Sequence, residues 1–130
     1  MRVLGFTKKW PKLQRPEFTT FRYVRNDKNW FIGEEVQLVF HPRHKDHELL
    51  GIGRIISIEL RILKRPDKDW VPFGDWPLVT DEEAIADGFA SRIEMLSWLR
   101  KTYGRHYWPA IQKITIRRED IVDLSKVRSL

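Results

Sequence analysis

The order of the helix and strand signals is the feature that most constrains the fold of this chain. Two helix-start signals, at Thr80 and Ser91, follow each other directly, and strand-like segments lie before and after them. In a protein built from βαβ units, strands and helices would alternate along the chain. That alternation is absent. The sequence therefore favours an α+β fold, in the form of a small mixed or antiparallel β-barrel flanked by helices.

Both predicted helices begin with a capping box. In Thr80-Asp81-Glu82-Glu83 and again in Ser91-Arg92-Ile93-Glu94, a hydroxyl residue stands three positions before a glutamate. The hydroxyl can accept a hydrogen bond from the glutamate amide, and the glutamate carboxylate can accept one from the hydroxyl residue's amide. Gly88 and Gly104 supply the residue type that ends a helix. Two short consecutive helices are therefore expected.

Five segments carry β-strand patterns, and they cover residues 3–7, 18–24, 34–41, 51–63 and 114–117. The fourth is the longest, and alternation predicts that its core-facing side chains are Ile52, Ile56, Ile58, Leu60 and Ile62. Gly51 and Gly53 at its start predict a bulge or a sharp bend. Residues 8–16, interrupted by Pro11 and Pro16, are predicted to form a loop with one helical turn.

Length and composition indicate one domain and exclude several kinds of site. A chain of 130 residues fits a single domain over residues 1–130, with residues 119–130 as a peripheral tail. The absence of cysteine excludes disulfides, thiolate zinc sites and a cysteine nucleophile. No segment is apolar enough to span a bilayer or to serve as a signal peptide. We expect a cytoplasmic protein that uses no cofactor and contacts no membrane.

All of the excess positive charge lies in the first quarter of the chain. The net charge is +6, and residues 1–33 hold eight basic residues against two acidic ones, so the remainder is neutral. Charge concentrated in this way predicts a basic face for an anionic partner. The lysines and arginine of the loop are candidates for a patch that steers phosphates, namely Lys8, Lys9, Lys12 and Arg15. The alternative is a solvated basic loop.

The strand that begins near residue 18 carries the strongest candidates for ligand contact. Thr20 and Arg22 are two residues apart, so in a strand they point to the same side. Arg22 and Arg25 could each bind phosphate, because a guanidinium presents a rigid fork of donors. The alternative is that Arg22 pairs with Glu17 or Asp87 and only braces the barrel.

Aromatic residues outside the helices are the candidates for base stacking. Trp70 and Trp76 lie in a loop rich in proline and aspartate, where a tryptophan could stack on an unpaired base. The alternative is that this loop packs over an open end of the barrel. Phe21, Tyr23 and Trp30 are assigned to the core.

Three histidines recur every third residue but do not predict a metal site. His41 is placed at a strand end, and Pro42 breaks any helix, so His41, His44 and His47 would not share a helical face. A solvated hairpin tip over residues 41–50 explains them. Glycine-rich phosphate loops and the nucleophile elbow of serine hydrolases are absent from the sequence.

Several short motifs together resemble the ASCH domain, a relative of the PUA domain. They are Thr20-x-Arg22, Gly33-Glu34-x-Val36, Gly51-x-Gly53-x-Ile55, the Thr80 to Phe89 segment with Asp87-Gly88-Phe89, and Trp98-Leu99. The resemblance covers about residues 1–118. It implies a PUA-like β-barrel with helices around a cleft, and it implies that this cleft handles RNA or a nucleoside.

The resemblance also bears on catalysis. Some proteins similar to this family are amidohydrolases that remove an acyl group from modified cytidine with a lysine, a threonine and an acidic residue. Thr20 matches the threonine, and Asp87 falls where the acidic residue lies. The lysine, three residues before the threonine, is replaced here by Glu17. A glutamate has the opposite charge and different chemistry from a lysine base or nucleophile.

The sequence therefore favours binding over catalysis. The expected function is a nucleic-acid-binding module for single-stranded or modified RNA in a basic cleft, with DNA as a second candidate ligand. The alternative is an enzyme on a modified nucleoside or RNA, either a ribonuclease or an amidohydrolase with Glu17, Thr20 and Asp87. A protein-interaction adaptor is a third class.

Overall fold

The computed structural model describes residues 1–24, 28–63, 76–104 and 110–119. In chain order its elements are β1 (Arg2–Phe6), a 3-10 helix (Pro11–Gln14), β2 (Glu17–Arg22), β3 (Glu35–Phe40), β4 (Glu48–Ile62), α1 (Asp81–Asp87), α2 (Arg92–Tyr103) and β5 (Ala110–Arg118). The predicted order of strands, two helices and a further strand is confirmed.

The five strands form one mixed sheet in the order β1-β3-β4-β5-β2. β1 and β3 run parallel, and the other neighbours are antiparallel. The two edge strands, β1 and β2, do not pair with each other within the described residues. The α+β class is therefore confirmed, whereas closure of the sheet into a barrel is not.

Two irregularities in β4 change which of its side chains reach the core. The pairing of β3 with β4 shifts between Leu38 and Val39, close to the predicted glycine bulge. The pairing of β4 with β5 shifts between Ile55 and Ser57, which leaves Ile56 as an extra residue. A bulge of this kind reverses the side-chain alternation. Ile55 is consequently fully buried. The prediction of core-facing side chains is wrong for Ile56 and for Leu60, which is 37% exposed, whereas Ile62 is buried.

The two helices begin where the sequence predicts. Both hydrogen bonds of the Thr80–Glu83 capping box are present at the start of α1. At α2, the Ser91 side chain accepts from the Glu94 amide. Gly88 ends α1 in the left-handed conformation, with φ of 118°. These local signals predict where both helices begin and end. Each one gives a hydrogen-bond partner to backbone N–H or C=O groups that have none within the helix.

The apolar side chains form two clusters on the sheet. The first contains Phe6, Phe18, Trp30, Ile55 and Ile116 among others, and Trp10 packs against it. The second joins the sheet to both helices and includes Phe21, Leu63, Met95, Leu99 and Ile111. The predicted burial of Phe21 and Trp30 is confirmed, and Tyr23 packs partly buried against the second cluster.

Some sequence predictions fall outside the described residues. These include Arg25, Trp70 and the tail from residue 120 onward. Neither helix of the described ranges has the length and apolar character needed to cross a membrane.

Candidate functional site

A cavity of about 120 Å³ lies between the two edge strands and α2. Residues at the end of β1 and in β2 line one side of it, and residues of α2 line the other. Its polar lining consists chiefly of four side chains, which are Lys12, Thr20, Arg22 and Asp87. Its aromatic lining includes Phe6, Trp10, Phe89, Trp98 and Tyr103. We call this cavity the central pocket.

Lys12 and Asp87 form a buried ion pair in the central pocket. The Lys12 Nζ lies 2.7 Å from the Asp87 Oδ1 and also donates to the Thr19 carbonyl oxygen at 2.7 Å. Their exposed fractions are only 4% and 5%. The 3-10 helix supplies the lysine, and the last residue of α1 supplies the carboxylate. A charge pair of this kind is unusual in a protein interior and is costly to desolvate.

Burial shifts the pKa of both partners toward their neutral forms. It raises the pKa of the Asp87 carboxyl, against the opposing effect of Lys12. It lowers the pKa of the Lys12 ammonium, against the opposing effect of Asp87. The two groups can therefore exchange a proton more readily than a solvated lysine and aspartate. Titratable groups shifted in this way are typical of functional sites.

Thr20 and Arg22 lie side by side in the pocket, as the strand alternation predicts. The Arg22 Nε donates to the Thr20 Oγ1 at 3.1 Å, and the Arg22 Nη2 donates to the Gly5 carbonyl oxygen at 2.8 Å. The second bond spans the gap between the edge strands. Arg22 also stands 4.9 Å from the centre of the Phe6 ring. Its guanidinium is thus held in one orientation toward the pocket.

The aromatic wall of the pocket depends on Gly88. A Cβ built on this glycine would lie 2.5 Å from the Trp10 Cε3, so only a residue without a side chain allows Trp10 to pack there. The Trp10 ring lies 5.2 Å from that of Phe89, which in turn lies 5.7 Å from Trp98. The junction after α1 therefore positions the wall as well as Asp87.

The basic loop residues have different positions from one another. Lys8, Lys9 and Arg15 are exposed, whereas Lys12 is buried in the central pocket. Lys9 pairs with Glu48. Of the predicted patch, three members can meet an approaching anion at the surface.

Two further predicted residues lie away from the pocket. Trp76 is half-buried and does not line it, and Glu17 is exposed at the start of β2. The altered triad of Glu17, Thr20 and Asp87 is therefore not assembled. The lysine of the pocket is Lys12, eight positions before Thr20. Sequence spacing gave no signal for this residue, because Lys12 reaches Asp87 across 75 positions of the chain.

The histidines stand on the exposed turn between β3 and β4. Ligand-capable atoms of His41, His44 and Asp46 lie within 4.8 Å of one another, while His47 bonds to the His44 carbonyl oxygen. In a tetrahedral zinc site the ligand atoms stand about 3.3 Å from one another, so these three would have to move closer together to hold the ion. The group is separate from the central pocket.

Comparisons with protein-family models, with curated proteins and with solved structures find no match to this chain.

Proposed function

We propose that the central pocket binds one unpaired or modified nucleobase of RNA. The observation that carries this proposal is the convergence of Lys12, Thr20, Arg22 and Asp87 inside a cavity with aromatic walls. A cavity of roughly 150 Å³ can hold a benzene ring, so a pocket of about 120 Å³ that opens to solvent can take no more than the edge of a single base. Duplex nucleic acid would not fit.

The chemistry of the lining agrees with a base as ligand. Aromatic side chains stack on the face of an exposed base, and polar groups bond to its edge. Here Arg22 provides donors, Asp87 provides an acceptor, and the Thr20 hydroxyl can do either. The exposed basic residues near the entrance, Lys8 among them, supply charge that attracts a phosphate backbone.

The resemblance to the ASCH family supports the same proposal. Three of the motif residues, Thr20, Arg22 and Asp87, line the central pocket together. We propose that the chain is an ASCH-like domain and that its open sheet is a variant of the PUA-like barrel.

Titration of labelled single-stranded RNA at low salt tests the proposal. We expect binding by the wild type and a loss of about tenfold to a hundredfold in Arg22→Ala, since bonds to charged groups contribute about 1.5–3 kcal/mol. Arg43→Ala is the matched control, because Arg43 is exposed on the β3–β4 turn and does not line the pocket. An absence of binding to RNA and DNA by the wild type would overturn the proposal.

A second candidate function is hydrolysis of an acyl amide on the bound base. The observation in its favour is that Lys12 lies in the pocket beside Asp87. It could take the place of the catalytic lysine that Glu17 replaces in the sequence motif. In this reaction a water attacks the amide carbonyl carbon and gives its proton to Lys12, which is neutral when its own proton has moved to Asp87. Lys12 passes the proton to the leaving amine nitrogen, and the products are a carboxylic acid and the free amino base. Arg22 can stabilise the negative charge on the carbonyl oxygen.

Incubation with acylated cytidine, followed by chromatography of the products, separates the two candidates. If the chain is a hydrolase, Lys12→Met abolishes turnover, whereas Glu17→Gln retains it because Glu17 lies outside the pocket. Turnover that survives Lys12→Met would contradict the role of Lys12. A wild type that binds the base without turnover would leave binding as the function.

A further inference from the structure

A second concavity adjoins the central pocket on the outer side of its aromatic wall. It measures about 430 Å³ and runs between the loop before the 3-10 helix and α2. Trp10, Phe89 and Trp98 line both the pocket and this second space, which we call the outer groove. One aromatic wall therefore serves two neighbouring sites.

The outer groove carries two cationic side chains, one on each bank. Lys8 lies on the loop, with its Nζ 4.6 Å from the centre of the Trp10 ring, and Lys101 is exposed on α2. The single acidic residue among the described lining residues is Glu94. Glu94 lies seven positions before Lys101, which is about 10 Å along a helix. The end of the groove at Lys101 is therefore suited to an anion, whereas the end at Glu94 repels one.

Both ends of the groove adjoin the central pocket along α2, because Glu94 precedes Met95 and Lys101 precedes Thr102, and both Met95 and Thr102 line the pocket. Of these two ends only the one at Lys101 suits a phosphate, so a strand that leaves the pocket there would have its sugar and phosphate close to Lys101. The next nucleotide of the same strand would follow the groove, with Trp10 or Trp98 available for stacking.

We propose that the outer groove holds the nucleotide adjacent to the base in the central pocket, with its phosphate between Lys8 and Lys101. The inference rests on the proposed function and narrows its ligand class. The ligand is then a polynucleotide strand, because a free nucleoside would leave the groove and both lysines without a partner. The proximity of cation and ring also suits a nucleotide, which brings a phosphate and a stacking face together.

The test compares cytidine and uridine with oligocytidylate and oligouridylate of two and eight nucleotides. Binding is followed by tryptophan fluorescence. We expect the wild type to bind the oligonucleotides at least about fivefold more tightly than the nucleosides, since a charged contact is added. Lys101→Glu is expected to remove this advantage and to leave nucleoside affinity unchanged. Lys45→Glu, the same charge change on the exposed β3–β4 turn, is the control.

The outcomes distinguish the groove from the pocket. Equal wild-type affinity for nucleoside and oligonucleotide would overturn the groove proposal and leave base binding intact. An equal loss in Lys101→Glu and Lys45→Glu would also overturn it, because general charge would then explain the effect. A wild type that binds neither kind of ligand would overturn both proposals.

Discussion

At the scale of single residues, burial of the Lys12–Asp87 pair is a cost to the stability of the fold. Folding removes the hydration of both charges, and the attraction between the two groups at their close contact offsets this desolvation penalty only in part. Replacing a buried pair by apolar groups is often neutral or stabilising, whereas removing one partner leaves the other uncompensated.

This asymmetry predicts the stability of three variants. We expect Lys12→Met to lower the free energy of unfolding by about 3 kcal/mol, and Asp87→Leu to do the same, because each leaves a buried charge alone. The double variant Lys12→Met/Asp87→Leu is expected to match or exceed the wild type. Urea denaturation of all four proteins checks the cycle. A double variant that loses the sum of the single effects would show that Lys12 and Asp87 contribute independently, and it would contradict the prediction.

The pKa shifts of the same pair predict the dependence of stability on pH. Because the pKa of Asp87 is raised from 3.8, the folded state binds more protons there, and stability falls as pH rises above that value. Because the pKa of Lys12 is lowered from 10.5, the unfolded state binds more protons below that value, and stability rises again as pH approaches it. The pair therefore penalises folding most near neutral pH.

Denaturation across pH in the wild type and in Lys12→Met/Asp87→Leu measures this effect. The difference in unfolding free energy between the two proteins is expected to favour the double variant most near neutral pH. A difference that is independent of pH would contradict the shifted pKa values.

The residues of the site were predictable only where local geometry decides. Alternation along one strand is enough to put Thr20 beside Arg22. Lys12 was placed in a surface patch from its neighbours, although it packs against the far end of α1. The contact between Lys12 and Asp87 depends on how the 3-10 helix packs against α1, and no pattern in neighbouring residues predicts that packing.

At the scale of secondary-structure elements, the junction after α1 couples helix termination to the shape of the site. Gly88 has a positive φ that residues with a side chain rarely adopt, and the absence of a Cβ leaves room for the Trp10 ring. The same residue thus ends the helix, follows Asp87 directly and sets the aromatic wall. Asp87, Gly88 and Phe89 are consecutive, so one short segment supplies the carboxylate, the helix end and part of the aromatic wall.

Two glycine variants separate these roles. Gly88→Ala is expected to destabilise the fold by more than about 1 kcal/mol and to weaken ligand binding, because both the backbone and Trp10 must move. Gly33→Ala is the matched control. Gly33 also has a positive φ, of 94°, but a Cβ there would meet nothing within 4 Å. We expect Gly33→Ala to lose stability with unchanged affinity. Unchanged affinity in Gly88→Ala would show that Trp10 is not part of the site.

Elements were easier to predict than their pairing. Capping boxes and alternation are short-range signals, and they located both helices and the strands. The extra residue at Ile56 could not be located from the sequence, because a bulge depends on the partner strand β5. Beyond that bulge, the alternation read from the sequence no longer tells which side chains of β4 face the core.

At the scale of the whole molecule, the site lies between the two edge strands of the sheet, β1 and β2, which do not pair in the part of the chain that the structure describes. Gly5, Phe6 and Thr7 line the pocket at one edge of the sheet, and Thr20 and Arg22 line it at the other. A closed barrel would have used these edges for strand pairing. The gap supplies the walls of the pocket instead, with the bond from Arg22 to the Gly5 carbonyl as its bridge.

The charge of the whole molecule predicts how salt affects binding. The net charge is +6, and Lys8 and Lys101 flank the groove beside the pocket. Each phosphate neutralised on a single strand contributes a slope of about −0.7 to the logarithm of affinity against the logarithm of salt concentration. If these two lysines neutralise one or two phosphates, the slope is about −0.7 to −1.4.

Titrations of an eight-nucleotide strand over a range of salt concentrations give this slope, with an uncharged nucleoside as the internal control. The nucleoside slope is expected to be near zero, because base contacts in the pocket release no counterions. Lys101→Glu is expected to reduce the oligonucleotide slope by about one phosphate contact, whereas Glu17→Gln leaves it unchanged. An oligonucleotide slope near zero would mean that the basic charge of this chain does not contact the phosphates of its ligand, and the strand path would then be wrong.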